Sequence, residues 1–210
     1  MELNFFEIPP VTKSYFLAST CLMILCSLDL VSPFTLYLNW GLVLRHYQLW
    51  RLVTCFLFFG NFGLPFFWNA YVLVYYCGSL EETSFSGKAA SFLWMIIVSC
   101  WMLLGLSYFF GATYFFSGAL IDVMTYVWGR RNSAARMHVF FFTVRAPYLP
   151  WVLAGMSFLL GWPVKDHILG IAVGHVYWFF EDVYPLMPTS GGLRVFKTPK
   201  LLKLAMRERD

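Results

Sequence analysis

The sequence predicts an all-α polytopic membrane protein with six transmembrane helices and an interfacial first loop, and three observations carry that reading. Hydrophobic residues make up 60% of the 210-residue chain and charged residues only 12%, more apolar surface than a soluble domain of this length can bury. The apolar residues gather in separate runs at 15–31, 66–80, 92–110, 114–128, 148–160 and 164–180, each bounded by proline, glycine or charge. In lipid, only helices satisfy their own backbone within pieces this short. The cations then alternate. Of the 15 lysines and arginines, 12 fall in the N-terminus, the second and fourth connections and the tail, and 3 in the first, third and fifth connections. The positive-inside bias places both termini in the cytosol and requires an even number of crossings.

The first run follows Pro9-Pro10, contains Asp29 and lacks a basic lead with a small-residue cleavage site. It reads as a retained anchor and not as a cleaved signal peptide. The first connection, about 32–65, is too long and too apolar for a tether. The amphipathic segment Arg45-His46-Tyr47-Gln48-Leu49-Trp50-Arg51 and the greasy 52–59 read as a helix pair lying in the membrane plane. Trp50 and Arg51 would mark the headgroup boundary, with the guanidinium turned to phosphates or a buried carbonyl. Simple interfacial anchoring explains them as well as a specific structural lock does. Run four has 15 residues, about 22 Å of helix against roughly 30 Å of hydrocarbon, and run five is shorter. Such lengths call for local thinning or a wet cavity at the helix ends. After Pro185 and the Gly191-Gly192 break, Leu201, Leu202 and Leu204 alternate with Lys200, Lys203 and Arg207 in a short basic amphipathic helix. The organisation is therefore a membrane domain, 1–185, and a cytosolic tail, 186–210.

The five cysteines, Cys21, Cys26, Cys55, Cys77 and Cys100, are odd in number and have no ligand-like spacing. Neither a disulfide framework nor a metal site is indicated, and no cofactor. The net charge of +4 fits cytosolic flanks against anionic lipid and does not point to nucleic acid.

A few polar or small residues inside the runs are candidates for function. Gly170 and Gly174 form a GxxxG, which lets another helix approach closely. Asp122, mid-way along run four, is costly there unless paired, protonated or wetted, and Thr125 and His175 are its expected partners. Ser117-Gly118 and His167 fall near the same ends of runs four and six, and Asn69 lies early in run two on that side. A serine hydroxyl becomes a nucleophile beside a base, and an asparagine amide could donate to an oxyanion. The plain alternatives are a serine bonding its own backbone and a histidine resting at an interface.

These positions carry a resemblance to the rhomboid superfamily and, more closely, to the derlins, its pseudoproteases of the endoplasmic reticulum. The matching stretches include Pro9-Pro10, Gln48-Leu49-Trp50-Arg51-Leu52, Leu80-Glu81-Glu82 and Tyr126-Val127-Trp128-Gly129-Arg130-Arg131-Asn132. They continue through Ala146-Pro147-Tyr148-Leu149-Pro150-Trp151, Leu169-Gly170-Ile171-Ala172-Val173-Gly174-His175, Glu181-Asp182-Val183-Tyr184-Pro185 and Lys197-Thr198-Pro199. The resemblance implies a rhomboid-like bundle in the endoplasmic reticulum membrane that assists retrotranslocation of misfolded proteins. Its partners would be a membrane ubiquitin ligase complex and a cytosolic AAA ATPase. No ATPase-binding box occurs before Asp210, and assembly with a second copy or a related chain stays open. Derlins normally lack the catalytic serine and histidine of active rhomboids, yet Ser117 and His167 fall at those positions and Asn69 at the oxyanion asparagine. Phe115 replaces the first glycine of the GxSG motif, and Pro65 the histidine four residues before the asparagine. The expectation is a non-enzymatic protein, with an intramembrane serine protease using Ser117 and His167 as the rival.

Overall fold

The computed structural model describes residues 8–110, 114–139, 142–206 and 208, and these are mostly helical. Arg207, Arg209 and Asp210 of the expected tail lie outside the described residues. Helix α1 (Pro10–Ser27) starts on a proline whose missing N–H costs nothing in a first turn. The buried Glu81 carboxylate accepts from the next donors, the Val11 N–H (3.0 Å), the Thr12 N–H (2.8 Å) and the Thr12 hydroxyl (2.8 Å). The helix begins five residues earlier than the apolar run, because this cap lies outside the hydrophobic pattern.

The first connection does hold two short helices, α2 (Trp40–His46) and α3 (Arg51–Leu57). The stretch Arg45 to Arg51, read as one amphipathic helix, is instead the corner between them. Asn39 caps α2 through the Leu42 N–H, and Tyr47 ends it in the left-handed region at φ 54°. Arg51 is buried and ties the corner together. Its guanidinium donates to the carbonyls of Tyr37 (2.8 Å) and Phe34 (3.1 Å) and to Gln48 Oε1 (2.7 Å), and it stacks on the Tyr37 ring. Carbonyls are thus its partners within the chain, while Trp50 beside it is exposed.

Helices α4 (Leu64–Val72) and α5 (Gly78–Ser84) join through a wide π-type turn at Leu73–Cys77 into one rod. Helix α6 (Ala89–Phe110) follows, and among the described residues it alone is long and apolar enough to cross a membrane unaided. Helix α7 (Ser117–Arg131) occupies the centre, with Ala119 through Gly129 all buried. A hairpin of β1 (Arg136–Val139) and β2 (Phe142–Arg145), antiparallel with Arg136 opposite Arg145, follows it. This hairpin departs from the all-α expectation. Alternate Arg, His, Thr and Arg over so short a stretch are read in sequence as a polar connection.

Helix α8 (Leu149–Leu159) is entered through a tight turn at Ala146–Tyr148, and α9 (Val164–Trp178) runs on into a π-type turn at Phe179–Val183. Helix α9 packs most extensively on α7. A Cβ on Gly170 would strike the Ala119 carbonyl oxygen and come within 2.7 Å of Asp122 Cβ, and one on Gly174 would lie 2.9 Å from Tyr126 Cβ. Both glycines are therefore contact points, as their spacing predicts. Gly129 plays the same part against the Ala146 carbonyl, in a pair that has no sequence pattern. The chain then doubles back. Phe196 stacks on Tyr177 and accepts from the Trp94 indole at 3.0 Å, ahead of the mostly exposed α10 (Lys200–Ala205).

Candidate functional site

Ser117, the first residue of α7, is placed by the approach of the strand-like segment after α3. The Phe116 N–H donates to the Cys55 carbonyl at 2.9 Å, and the Ser117 hydroxyl donates to the Phe58 carbonyl at 2.7 Å. Asn69 stands on α4, where its amide nitrogen donates to the Pro65 carbonyl at 2.9 Å. Its oxygen faces Gly118, 3.9 Å from where a Cβ would sit. His167 comes from the first turns of α9. These residues, with Phe58, Ser157 and Asp166, line one cavity of about 250 Å3 at the N-terminal end of α7. The depth that the sequence assigns to Ser117, His167 and Asn69 is thus shared in space.

Their hydrogen bonds are not those of a nucleophilic centre. A serine protease needs the hydroxyl bonded to the base that takes its proton, and here that proton is committed to Phe58. No hydrogen bond joins Ser117 and His167 among the described residues. The imidazole is engaged elsewhere: His167 Nδ1 lies 2.6 Å from Asp122 Oδ2. One N–H of the asparagine amide is likewise spent on its own helix, at the Pro65 carbonyl. Phe115, in place of the motif glycine, packs its ring on Phe58 at 4.8 Å and forms part of the cavity wall. The proteolytic alternative therefore finds no support in this geometry.

The expected partners of Asp122 are both engaged with other groups. Thr125 bonds the Ile121 carbonyl of its own helix at 2.8 Å. His175, two helical turns beyond His167, bonds the Tyr126 hydroxyl through Nδ1 at 2.7 Å, and Arg130 donates to the same hydroxyl at 2.8 Å. The Arg130 guanidinium lies over the Tyr126 and Trp178 rings. The reason is register. Gly170 seats α9 against Ala119 and Asp122, and this brings His167, one turn earlier on α9, to the carboxylate. His175, one residue past Gly174, is drawn to Tyr126. The same contact sets the cavity floor. Three features escaped the sequence reading: the Glu81 cap, the Gly129–Ala146 approach and the Arg131–Asp182 pair, which is bidentate at 2.8 and 2.9 Å. Each joins residues far apart in sequence, and only the shared stretches that contain them gave any signal.

The bundle is thus one in which a glycine-seated helix pair frames a cavity whose serine and histidine are not hydrogen-bonded to each other, beside a first connection locked by Arg51. Comparison with known proteins gives the particular family. The model of the Der1-like family matches residues 8–200, and the chain belongs to that family, the derlins. It is 40% identical to Derlin-2.2 of Zea mays over 208 residues, covering 94% of this chain and 82% of the relative. It is 41% identical to Derlin-2.2 of Arabidopsis thaliana over 208 residues, 94% and 84% of the two chains. A probable derlin-2 homolog of Dictyostelium discoideum is 39% identical over 209 residues, 95% and 80%.

Proposed function

We propose that this chain is a non-enzymatic derlin of the endoplasmic reticulum membrane that assists passage of misfolded proteins from the lumen or bilayer to the cytosol. The observation that carries the reading is the cavity lined by Ser117, Asn69, Asp166 and His167 at the end of a 15-residue helix too short to cross alone. A wet polar recess inside the hydrocarbon lowers the cost of moving a hydrophilic segment, because its backbone groups find partners before they leave water. Family membership supports the degradation role.

Six crossings with both ends in the cytosol fit the alternation of charge, with α1, the α4–α5 rod, α6, α7, α8 and α9 as the spans. Exposed apolar side chains on several of them, among them Leu17, Ile24, Trp101, Phe158 and Val176, support contact with lipid. In that orientation the cavity opens to the lumen. A membrane ubiquitin ligase complex and an AAA ATPase are the proposed partners, and membrane lipids the surroundings.

The test is the half-life of a misfolded lumenal substrate in cells lacking the endogenous protein. Wild type restores clearance, and Gly174→Leu, which forces α9 from α7, slows it at equal expression. Unchanged half-life with Gly174→Leu overturns the reading. A fluorophosphonate probe on purified protein addresses chemistry separately. No labelling is expected, and labelling abolished by Ser117→Ala would make the chain a protease.

A further inference from the structure

A second cavity lies at the opposite end of the bundle, with a volume of about 570 Å3 between the start of α6, the end of α9 and the returning tail. Five cations line it, Lys88, Arg131, Arg194, Lys197 and Lys203, against three carboxylates, Glu181, Asp182 and Glu208. Two of those carboxylates are already engaged. Asp182 holds Arg131. Glu208 sits on the first turn of α6, accepting from the Ala90 N–H (2.8 Å), the Ser91 N–H (3.2 Å) and the Ser91 hydroxyl (3.0 Å). Burial lifts the Glu181 carboxyl above its ordinary range, although Arg194 and Arg131 draw it down. Lys88, Arg194 and Lys197 have no ion-pair partner among the described residues.

A recess lined by five cations against three carboxylates, and whose wall already binds an oxyanion through three donors, is built for a compact multivalent anion. The engaged carboxylate marks the donor geometry, while the cavity volume and the surplus charge exceed what one carboxylate uses. We propose that this cavity binds a phosphomonoester, with Lys88, Arg194 and Lys197 holding the phosphate and the Glu208 strap as its internal competitor at the Ala90 and Ser91 donors. The phosphomonoester is either a lipid headgroup at the adjoining membrane surface or a soluble phosphate. The tail would then be a clasp that exchanges its own carboxylate for the ligand's phosphate. The site is remote from the α7 cavity and does not depend on the function proposed for it.

The experiment is titration calorimetry of the full chain in phosphatidylcholine nanodiscs with dioctanoyl phosphatidic acid, and separately with inorganic phosphate. Wild type should bind saturably. Lys88→Gln/Arg194→Gln/Lys197→Gln should bind about tenfold or more weakly, since each lost charge-assisted bond is worth at least that factor when unscreened. Glu208→Gln, which keeps the strap's shape but weakens its hold, should bind more tightly. Saturation by phosphatidic acid that inorganic phosphate does not displace assigns a lipid headgroup, and displacement by inorganic phosphate assigns a soluble ligand. Equal affinity of wild type and triple variant, or no binding by folded protein, overturns the proposal.

Discussion

At the scale of single residues, buried charge decides the structure where the apolar pattern is silent. Arg51 is 5% exposed and donates to two carbonyls and an amide oxygen. Removing it leaves those acceptors dry, which for a charged donor costs about 2–3 kcal/mol. Arg51→Met should lower the thermal unfolding midpoint in detergent accordingly. Arg51→Lys should not recover it, because a point-like ammonium cannot bridge the planar fork from Gln48 to both carbonyls. A lysine variant as stable as wild type would exclude this role. Glu81 acts the same way on α1 from some 70 positions away. Glu81→Gln keeps the shape but gives up charge at a helix N-terminus, about 1–2 kcal/mol, and amide exchange in the first turn of α1 reads that loss directly. Arg51 could be singled out beforehand, because a Trp-Arg pair in an apolar connection is conspicuous. Glu81 could not. A carboxylate beside Glu82 at the end of an apolar run reads as surface until the fold brings α1 over it.

At the scale of elements, the contact of α7 with α9 fixes the cavity, and its two glycines are not equal. A side chain at Gly170 meets the backbone carbonyl of Ala119, which cannot yield without moving α7, whereas one at Gly174 meets the Tyr126 side chain. Gly170→Ala should therefore destabilise by about 3 kcal/mol and Gly174→Ala by about 1 kcal/mol, even after alanine's better helix propensity is counted. Unfolding midpoints in one detergent check the order, and an inverted order would show that α9 sits on α7 in another register. The spacing of the glycines foretold that they face a helix, but which helix and in which register depends on side chains absent from the pattern. For that reason Asp122 was matched in sequence with Thr125 or His175, and the structure gives it His167. The hairpin and the two π-type turns were out of reach for a related reason. A π-type turn needs only one extra residue in a ladder, and apolar runs do not record it.

At the scale of the whole molecule, helix length and helix position act together. Helix α6, 22 residues, reaches about 33 Å and matches a full bilayer. Helix α7 is as central as it is short, so its deficit falls inside the protein and is met by the cavity at one end and the hairpin at the other. Helix α8 is different. With its entering turn it covers only Ala146–Leu159, about 22 Å, yet it turns Trp151, Phe158 and Leu159 outward. In the proposed six-span arrangement an outward-facing short span leaves lipid no internal remedy, so the bilayer would have to thin beside α8 while keeping its thickness beside α6. Mismatch costs fractions of a kcal/mol per Å, and roughly 8 Å of it amounts to a few kcal/mol. Stability should then depend on the host lipid. The unfolding midpoint should fall steadily from dimyristoyl to dioleoyl to dierucoyl phosphatidylcholine, the reverse of what six full-length spans would give. Lengthening the outward face of α8 by one leucine-rich turn should flatten that dependence. A midpoint that rises with acyl length in wild type would mean that α8 does not meet lipid along its length, and the thinned side of the bundle would have to be sought elsewhere.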